Sequence, residues 1–315
     1  MGFVAPQFYT PNYQNGLPKL AKDHLLLHVL YLKTVSAGIV LQTKDHCILV
    51  DLSMGLGTDI IKNYLLLLGI ETIDIIVLTH PHDDHIAFGQ DGLLRFTTNF
   101  EVKKIWSNGS PYPKWYDNVT DCPDTADSRM AYGLVLSQIF PDGYTVMGEG
   151  VVPSIQGNSV IPYEEPRKGN ATALGDITIT ALYPENVLKS VSTNNNSMVL
   201  KIEYQGKSIL LPSDILDTAE TDILSTSVEQ LKADVLCLAH HGYDSNNDTW
   251  LDAVNPDIAV VQGDSVIPRI ITALNTRGIP LHNPFSLGRH IAVDLSVNKI
   301  EAFNNHEYNW QAPIF

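Results

Sequence analysis

The chain has 315 residues, of which 44% are hydrophobic and 17% charged, so it can bury a large core and does not have the composition of a disordered protein. Lys and Arg total 20 against 35 Asp and Glu, which gives a net charge of −15. Because nucleic-acid binders rely on Lys and Arg at phosphates, this balance disfavours a nucleic-acid partner but allows a small anionic substrate held by divalent metals.

The N-terminal half of the chain is predicted to alternate strands and helices. Residues 1–23 have no hydrophobic periodicity and are predicted to form an arm, which leaves 24–315 as a single domain. Gly69 follows an apolar helical pattern and is expected to end that helix. The predicted strands are 24–33, 38–42, 46–52, 75–79 and 102–106, and the predicted helices are 59–68 and 88–96.

Residues 108–172 interrupt this alternation. They are rich in Gly, Pro, Asn and Asp, with one predicted helix at 127–139, and we expect a specificity insertion beside the site. Aromatic side chains at its start could stack a nucleobase or surround a quaternary ammonium group, or could pack as a small core under the loop. These candidate substrate contacts are Trp106, Tyr112, Trp115 and Tyr116.

The C-terminal half repeats the order of strands and helices. The predicted strands are 177–183, 198–204, 208–211, 234–239, 258–261 and 291–297, and the predicted helices are 218–231 and 268–276. Two mixed sheets packed face to face, with helices on their outer faces, would bury the apolar surface of every element. The sequence therefore predicts an α/β fold of four layers, αββα, with a site where the carboxyl ends of strands meet.

The segment from Thr79 to His85 carries the strongest chemical signal. Its sequence, Thr-His-Pro-His-Asp-Asp-His, has the form H-x-H-x-D-H directly after a predicted buried strand. His80 and His82 can bind one metal ion, while Asp84 and His85 offer a carboxylate and an imidazole to a second. A surface loop with unrelated histidines is the alternative, and the density of ligand residues argues against it.

Two further strand ends carry candidate ligands. Asp214 follows an apolar strand and can bridge two metal ions, although an Asp in that place alone would more often cap a helix. His240, His241 and Gly242 follow another strand. Together with the first motif, these strand ends predict a binuclear metal site.

These residues resemble the metal-binding motifs of the metallo-β-lactamase superfamily, and Asp51 matches its early strand-end Asp. The segment 194–200, Asn-Asn-Asn-Ser-Met-Val-Leu, further resembles the competence-type (DNA-uptake) branch and phosphorylcholine esterase-like members. The resemblance covers roughly residues 24–300 apart from much of 108–172, and it implies the four-layer metallo-β-lactamase sandwich. The metal ligands that it implies are His80, His82, Asp84, His85, Asp214 and His241.

The resemblance also implies roles for neighbouring residues. It favours His241 over His240 as the ligand, so that His240 would face the substrate and donate to an oxyanion. Asp84 would orient the nucleophile as well as bind metal, Asp51 would support a ligand histidine, and Asn196 is a candidate substrate contact. The implied cofactor is Zn²⁺, two ions per chain, with Mn²⁺ or Fe²⁺ as alternatives.

The sequence departs from the superfamily pattern before the bridging Asp214. Many members have a further histidine there, whereas the matching segment 193–197 has none, which would leave the first metal ion with an open coordination sphere. His82 stands where diiron electron-transfer relatives have a Glu, so hydrolysis is favoured over redox chemistry.

Three functions stay open on these grounds. We expect a phosphodiesterase or phosphoesterase that uses a metal-activated hydroxide on a small-molecule phosphoester or nucleotide-like substrate. A carbonyl hydrolase of a lactone, amide or thioester is the alternative, and a non-catalytic scaffold is the third.

Cysteine usage and the chain start indicate the compartment. Cys47, Cys122 and Cys237 form no CxxC pair, and Cys47 and Cys237 are expected to be buried thiols. The chain start has no signal-peptide pattern, and no apolar run is long enough to span a bilayer. We therefore expect a cytoplasmic protein without a membrane partner.

Overall fold

The computed structural model describes residues 13–14, 17–18, 24–87, 92–109, 135–147, 154–185, 192–296 and 299–304. The predicted aromatic contacts Tyr112, Trp115 and Tyr116 lie outside these ranges, as does Cys122. Within the predicted arm, Tyr13–Gln14 pairs antiparallel with Leu17–Pro18. The boundaries of the arm and of the insertion stay predictions.

The first sheet contains eight strands among the described residues. Its centre is a hairpin of Ile39–Gln42 and Cys47–Val50, closed by a 2.9 Å hydrogen bond from Thr43 N to His46 O. Cys47–Val50 pairs in parallel with the fully buried Ile75–Leu78, as an inner strand requires. In spatial order the strands are Tyr163–Glu164, Ile105–Ser107, Ile75–Leu78, Cys47–Val50, Ile39–Gln42, Leu26–Val29, Ile291–Ser296 and Lys299–Asn304.

The second sheet contains seven strands within the described ranges. One side of it is antiparallel, and there Ile177–Tyr183 begins with alternating buried and half-buried residues, the pattern of a strand with one face inward. The other side is parallel and carries the later candidate ligands. In spatial order the strands are Ala171–Leu174, Ile177–Tyr183, Val199–Tyr204, Lys207–Leu211, Val235–Cys237, Ile258–Val260 and Leu281–His282.

The two sheets pack face to face between outer layers of helices. A buried cluster with members from both sheets, such as Leu27 and Ile202, fills the space between them. Two further clusters join each sheet to its helices, one through Ile61 and the other through Trp250. The described helices are Leu56–Leu67, Asp83–Ile86, Leu94–Thr97, Asp217–Ser227, Asp248–Val254, Pro268–Arg277 and Pro284–Leu287, with a helical segment at 135–139. This arrangement confirms the predicted four-layer α/β sandwich.

Local signals set the helix ends. Gly69 has a φ of 70° and follows the helix Leu56–Leu67, as predicted. The side chain of Asn247 accepts a 2.9 Å hydrogen bond from Trp250 N and so caps the helix that starts at the next residue. Among the helices that the structure describes, none has both the length and the apolar character needed to cross a bilayer.

Several predicted elements differ from the structure. The strand predicted at 102–106 is two strands, because Glu101–Val102 pairs with Thr72–Ile73 while Ile105–Ser107 joins the first sheet. The helix predicted at 218–231 ends at Ser227, and residues 228–230 form a 3₁₀ turn. In the described part of the helix predicted at 88–96, the helix starts only at Leu94. Elements without a prediction include Asp248–Val254, Leu281–His282 and the hairpin of Tyr144–Met147 and Ser154–Gly157.

The carboxyl ends of inner strands from both sheets carry the candidate ligands. In each sheet the parallel strands run in one direction, so the residues that follow them collect at the same edge. The strands Cys47–Val50, Ile75–Leu78, Lys207–Leu211 and Val235–Cys237 lead to Asp51, His80, Asp214 and His241 in that order.

Candidate metal centre

The turn after Ile75–Leu78 carries four of the candidate ligands. His82 is the N-cap of the short helix Asp83–Ile86 and has extended backbone, with φ −72° and ψ 148°. The amides of His85 and Ile86 both donate to the His82 carbonyl at 3.1 Å. The motif thus divides into an extended part with His80 and His82, and a helical turn with Asp84 and His85.

Four side chains from three strand ends converge on one point, and we call them the Asp84 group: Asp84, His85, Asp214 and His241. One ligand atom of each lies within 4.8 Å of the others. Asp214 Oδ2 lies 3.1 Å from His85 Nε2 and 3.4 Å from His241 Nε2. Asp84 Oδ2 lies 3.2 Å from His241 Nε2 and 3.7 Å from His85 Nε2. These are nitrogen and oxygen donors of the kind that zinc takes.

His80 and His82 form a second group, the His80 pair. His80 Nε2 lies 3.0 Å from His82 Nδ1 and 3.9 Å from Asp214 Oδ2. Two imidazole nitrogens that face each other share one proton or ligate one cation, because two bare lone pairs would repel. Asp214 therefore lies between the His80 pair and the rest of the Asp84 group, where one carboxylate can serve two ions.

Acceptors behind the ligand histidines orient their rings. Asp51 Oδ2 accepts from His85 Nδ1 at 2.7 Å, and Asp51 also accepts from the amide and the hydroxyl of Thr79 at 2.8 Å each. His241 Nδ1 donates to the Gln262 carbonyl at 2.7 Å. Such a bond fixes the tautomer of a ligand histidine and turns Nε2 toward the metal. Asp51 thus contacts His85 as its predicted supporting role requires, and that role stays a prediction.

The buried carboxylates and histidines shift one another's pKa values. Burial opposes the charge on His85, but Asp214, Asp84 and Asp51 together raise the pKa of His85 well above its usual value. Burial likewise opposes the charge on Asp214, yet His85 and His241 hold the pKa of Asp214 well below its usual range. Burial raises the pKa of Asp51, and the donors on Asp51 oppose that shift. The carboxylates thus require nearby positive charge, which imidazolium protons or divalent cations can supply.

A small cavity lies between the sheets on the inner side of the Asp84 group. A cavity of about 50 Å³ is bordered by His85, Asp214 and His241 and, on its apolar side, by Val29 and Val260. Because one water-sized occupant needs about 10–15 Å³, this cavity has room for a few water molecules, but Asp84, His80 and His82 do not border it. The donor set, the converging ligand atoms and the apolar wall behind them fit a divalent metal centre.

His240 lies beside the Asp84 group rather than in it. Its Nδ1 lies 2.6 Å from Asp244 Oδ1, and its Nε2 lies 3.3 Å from Asn194 Nδ2. The Asp244 carboxylate raises the pKa of His240 despite the opposing effect of burial. The ring of Tyr243 is 6.4 Å from that of His240 and 6.2 Å from that of His241. Of the two histidines, His241 belongs to the Asp84 group and His240 lies at the rim, with 24% of its side chain exposed.

Trp106 and Asn196, which were predicted to contact the substrate, are both buried. Trp106 is a core residue, 2% exposed, in the cluster between the sheets, and its Nε1 donates to Glu164 at 2.8 Å. This burial in the core corrects the prediction that Trp106 forms part of an aromatic wall for the substrate. Asn196 is fully buried and its side chain donates to Ser192 O, whereas Asn194 of the same turn contacts His240.

Several residues at the site were not predicted from the sequence. Gln262 follows another inner strand, and its side chain bonds Leu30 O and both backbone groups of Gly38 across the two sheets. Its position after an apolar strand is a signal that could have been used, but its partners are more than 200 residues away. The other residues of this kind are Thr79, Asn194, Tyr243 and Asp244.

Comparisons with known proteins identify the family of this chain. A model of the metallo-beta-lactamase superfamily matches residues 33–263. ComE operon protein 3 of Bacillus subtilis (strain 168) is 26% identical over 207 residues, which are 65% of this chain and 22% of that protein. The chain therefore matches only about a fifth of the length of this curated relative.

Two solved structures are similar to this chain at low sequence identity. A mutant of the CmlA beta-hydroxylase has a TM-score of 0.51 at 13% identity, over 86% of this chain and 54% of that chain. The metallo-beta-lactamase fold protein YhfI from Bacillus subtilis has a TM-score of 0.48 at 12% identity, over 83% and 96% of the two chains. At such identities the likeness concerns the fold alone.

Proposed function

The chain belongs to the metallo-β-lactamase superfamily, and from this premise we propose that it is a phosphodiesterase or phosphoesterase that depends on two divalent metal ions. The family match and the Asp84 group support the coarser assignment to metal-dependent hydrolases. The position of Asp214 supports the proposal of two ions. Its buried carboxylate faces His80 of the His80 pair as well as His85 and His241 of its own group.

The ligands divide into two sets. His80, His82 and Asp214 would hold the first ion, and the whole Asp84 group would hold the second. When bound, such ions act as Lewis acids on phosphoryl oxygens and lower the pKa of a water molecule. We propose Zn²⁺, two ions per chain, because imidazole and carboxylate donors suit it, with Mn²⁺ or Fe²⁺ as alternatives.

The remaining residues position these ligands and the substrate. Asp51 and the Gln262 carbonyl fix the rings of His85 and His241. Asp84 is the more exposed carboxylate of its group, with 22% of its side chain accessible, and would orient the attacking water. His240, held by Asp244, would contact the developing negative charge of the substrate at the rim.

The open coordination of the first ion favours phosphoesters over lactams. The segment 193–197 supplies no histidine, so two protein nitrogens and Asp214 leave positions for phosphoryl oxygens. The net charge of −15 favours a small phosphoester or nucleotide-like substrate over a nucleic-acid strand. The cytoplasmic location stays a prediction from the sequence.

A phosphodiesterase assay tests the proposal. The metal-free chain would be incubated with bis-p-nitrophenyl phosphate before and after addition of Zn²⁺ or Mn²⁺. We expect metal-dependent turnover that Asp214→Asn removes and Asp217→Asn keeps, because Asp217 is an exposed residue of the following helix. Absence of metal-dependent turnover on any phosphodiester would overturn the proposal, and turnover of nitrocefin or an acyl-lactone alone would assign the chain to carbonyl hydrolysis.

A further inference from the structure

The turn that presents His240 and His241 has an unfavourable backbone. His240 and His241 have φ values of 48° and 54°, and Ser245 and Asn246 have values of 54° and 53°. Left-handed backbone costs most non-glycine residues about 1 kcal/mol or more, and Asn less, so such a turn persists only where its surroundings hold it. The restraint on this turn therefore determines where the ligand His241 lies.

Asn246 closes the turn upon itself. Its Oδ1 accepts from Ala239 N at 2.9 Å, and its Nδ2 donates to Ala239 O at 3.1 Å and to Asp244 O at 2.9 Å. Ala239 is the residue before the two histidines. The side chain of Asn246 thus joins the start of the turn to its end, and the position of Asn246 sets that of His240 and His241.

Glu220 holds Asn246 from the helix Asp217–Ser227. One carboxylate oxygen of Glu220 accepts from Asn246 N, and the other accepts from the backbone and the side-chain amides of Asn247. Glu220 is fully buried, and burial raises the pKa of its carboxyl to about 7. Arg269, which donates to Ser245 O at 2.7 Å, is the nearby positive charge, and Asp217 the nearby negative one.

Burial of the Glu220 carboxylate has an unfavourable free energy. Taking a charged group out of water costs several kcal/mol, and a well-packed neutral side chain of similar size often gives equal or greater stability. The carboxylate does have one property that a neutral amide lacks, since both of its oxygens accept hydrogen bonds. Three N–H groups of the turn point at these two oxygens.

We propose that Glu220 is a positioning residue of the metal centre, which acts through Asn246 to fix the strained turn that brings His241 to Asp84 and Asp214. This inference rests on the proposed metal-dependent function. A glutamine at position 220 would turn an NH₂ group toward one of the turn's N–H donors, so the turn would shift while the helix stays packed. His241 serves the second ion, and the loss should fall on that ion.

Zinc binding tests the proposal without reference to turnover. Wild type, Glu220→Gln and the control Glu229→Gln, an exposed glutamate just beyond the same helix, would be titrated with Zn²⁺ against a chelating indicator at pH 8. We expect two Zn²⁺ ions in wild type and the control. In Glu220→Gln we expect affinity for one ion to fall about 10-fold or more and affinity for the other to change less than about twofold, the size of effect typical of residues behind metal ligands.

A second variant keeps the test decisive if Glu220→Gln does not fold. Asn246→Gly allows the left-handed backbone and removes the side-chain bonds to Ala239 and Asp244. Circular dichroism and the Tm would establish folding, and the same selective loss of one ion is expected.

The possible results separate this inference from the proposed function. Unchanged affinity for both ions in a folded variant overturns the inference, and so does equal weakening of both ions with a lowered Tm, which would indicate a general structural role. A wild type that binds two Zn²⁺ without phosphodiester turnover overturns the proposed function only. A wild type that binds no Zn²⁺ overturns both.

Discussion

The first sheet presents His80, His82, Asp84 and His85 on one short turn, whereas the second sheet presents Asp214 and His241 from two separate strand ends. The first turn is an extended segment that continues into the helix Asp83–Ile86, with its candidate ligands next to one another in the chain. On the second sheet, Ser213, His240 and His241 have left-handed backbone, and the turn of His241 is held by side chains from elsewhere.

The difference lies in what holds each half in place. On the first sheet, Asp51 orients the turn by accepting hydrogen bonds from Thr79 and His85, which both belong to the motif segment. On the second sheet, the bonds come from Gln262, Glu220 and Asn246, none of which belongs to a recognisable motif. We therefore expect mutations in the two halves of the centre to differ in their effects on zinc affinity, turnover and stability.

Asp214→Asn should have the largest effect, because Asp214 belongs to both halves. The amide keeps the shape but removes the charge that His80, His85 and His241 face. We expect a fall in kcat/KM of about 1,000-fold, the upper end of what one electrostatic contact in a site contributes, and weaker binding of both Zn²⁺ ions. Steady-state kinetics and zinc titration measure these, and retention of two tightly bound ions would contradict a shared ligand.

Glu220→Gln should change how stability depends on pH, which concerns the second-sheet half alone. The pKa of Glu220 is raised from 4.5 to about 7 by burial, so the folded state keeps the proton over a range in which the unfolded state loses it. This tighter proton binding stabilises the folded state fully below pH 4.5. The stabilisation, at most about 3 kcal/mol, is lost as pH rises through about 7. Urea unfolding at pH 5 and pH 8 should show wild type losing stability relative to the variant, and a difference independent of pH would contradict the burial argument.

Asp51→Asn should weaken the first-sheet half. Asn tolerates the φ of 61° at this position, so the backbone stays, but an amide nitrogen then faces the Thr79 or His85 donors. We expect about a 10- to 100-fold loss in kcat/KM or zinc affinity, as for other partners behind metal ligands. The exposed Asp45→Asn in the nearby hairpin turn is the matched control, and equal behaviour of the two variants would remove Asp51 from the site.

Asp244→Asn should have the smallest effect. The side chain of Asp244 is 53% exposed, and an amide oxygen can still accept from His240 Nδ1. The expected loss in kcat is less than about 5-fold, since exposed ion pairs contribute about 1 kcal/mol or less. A loss in kcat as large as that of Asp51→Asn would show that Asp244 contributes as much to turnover as Asp51 does.

The same contrast explains what the sequence could predict. Most inner strands and the H-x-H-x-D-H turn follow from local pattern and lie close to their predicted positions, whereas the strand predicted at 102–106 is two strands. Gln262 and Glu220 were not predicted, because neither belongs to a recognised motif and tertiary packing brings their partners to them. Trp106 ends the predicted strand 102–106 but was also predicted among the aromatic substrate contacts; in the structure it lies within the inner strand Ile105–Ser107 and its ring packs between the sheets.

X-ray anomalous scattering at the zinc edge, on crystals of the Zn²⁺-loaded chain, tests the central claim most directly. The account predicts two zinc peaks, one among Asp84, His85 and His241 and one between His80 and His82, with Asp214 contacting both. A single peak without Asp214 as a ligand, or zinc bound only at other residues, would contradict the binuclear centre.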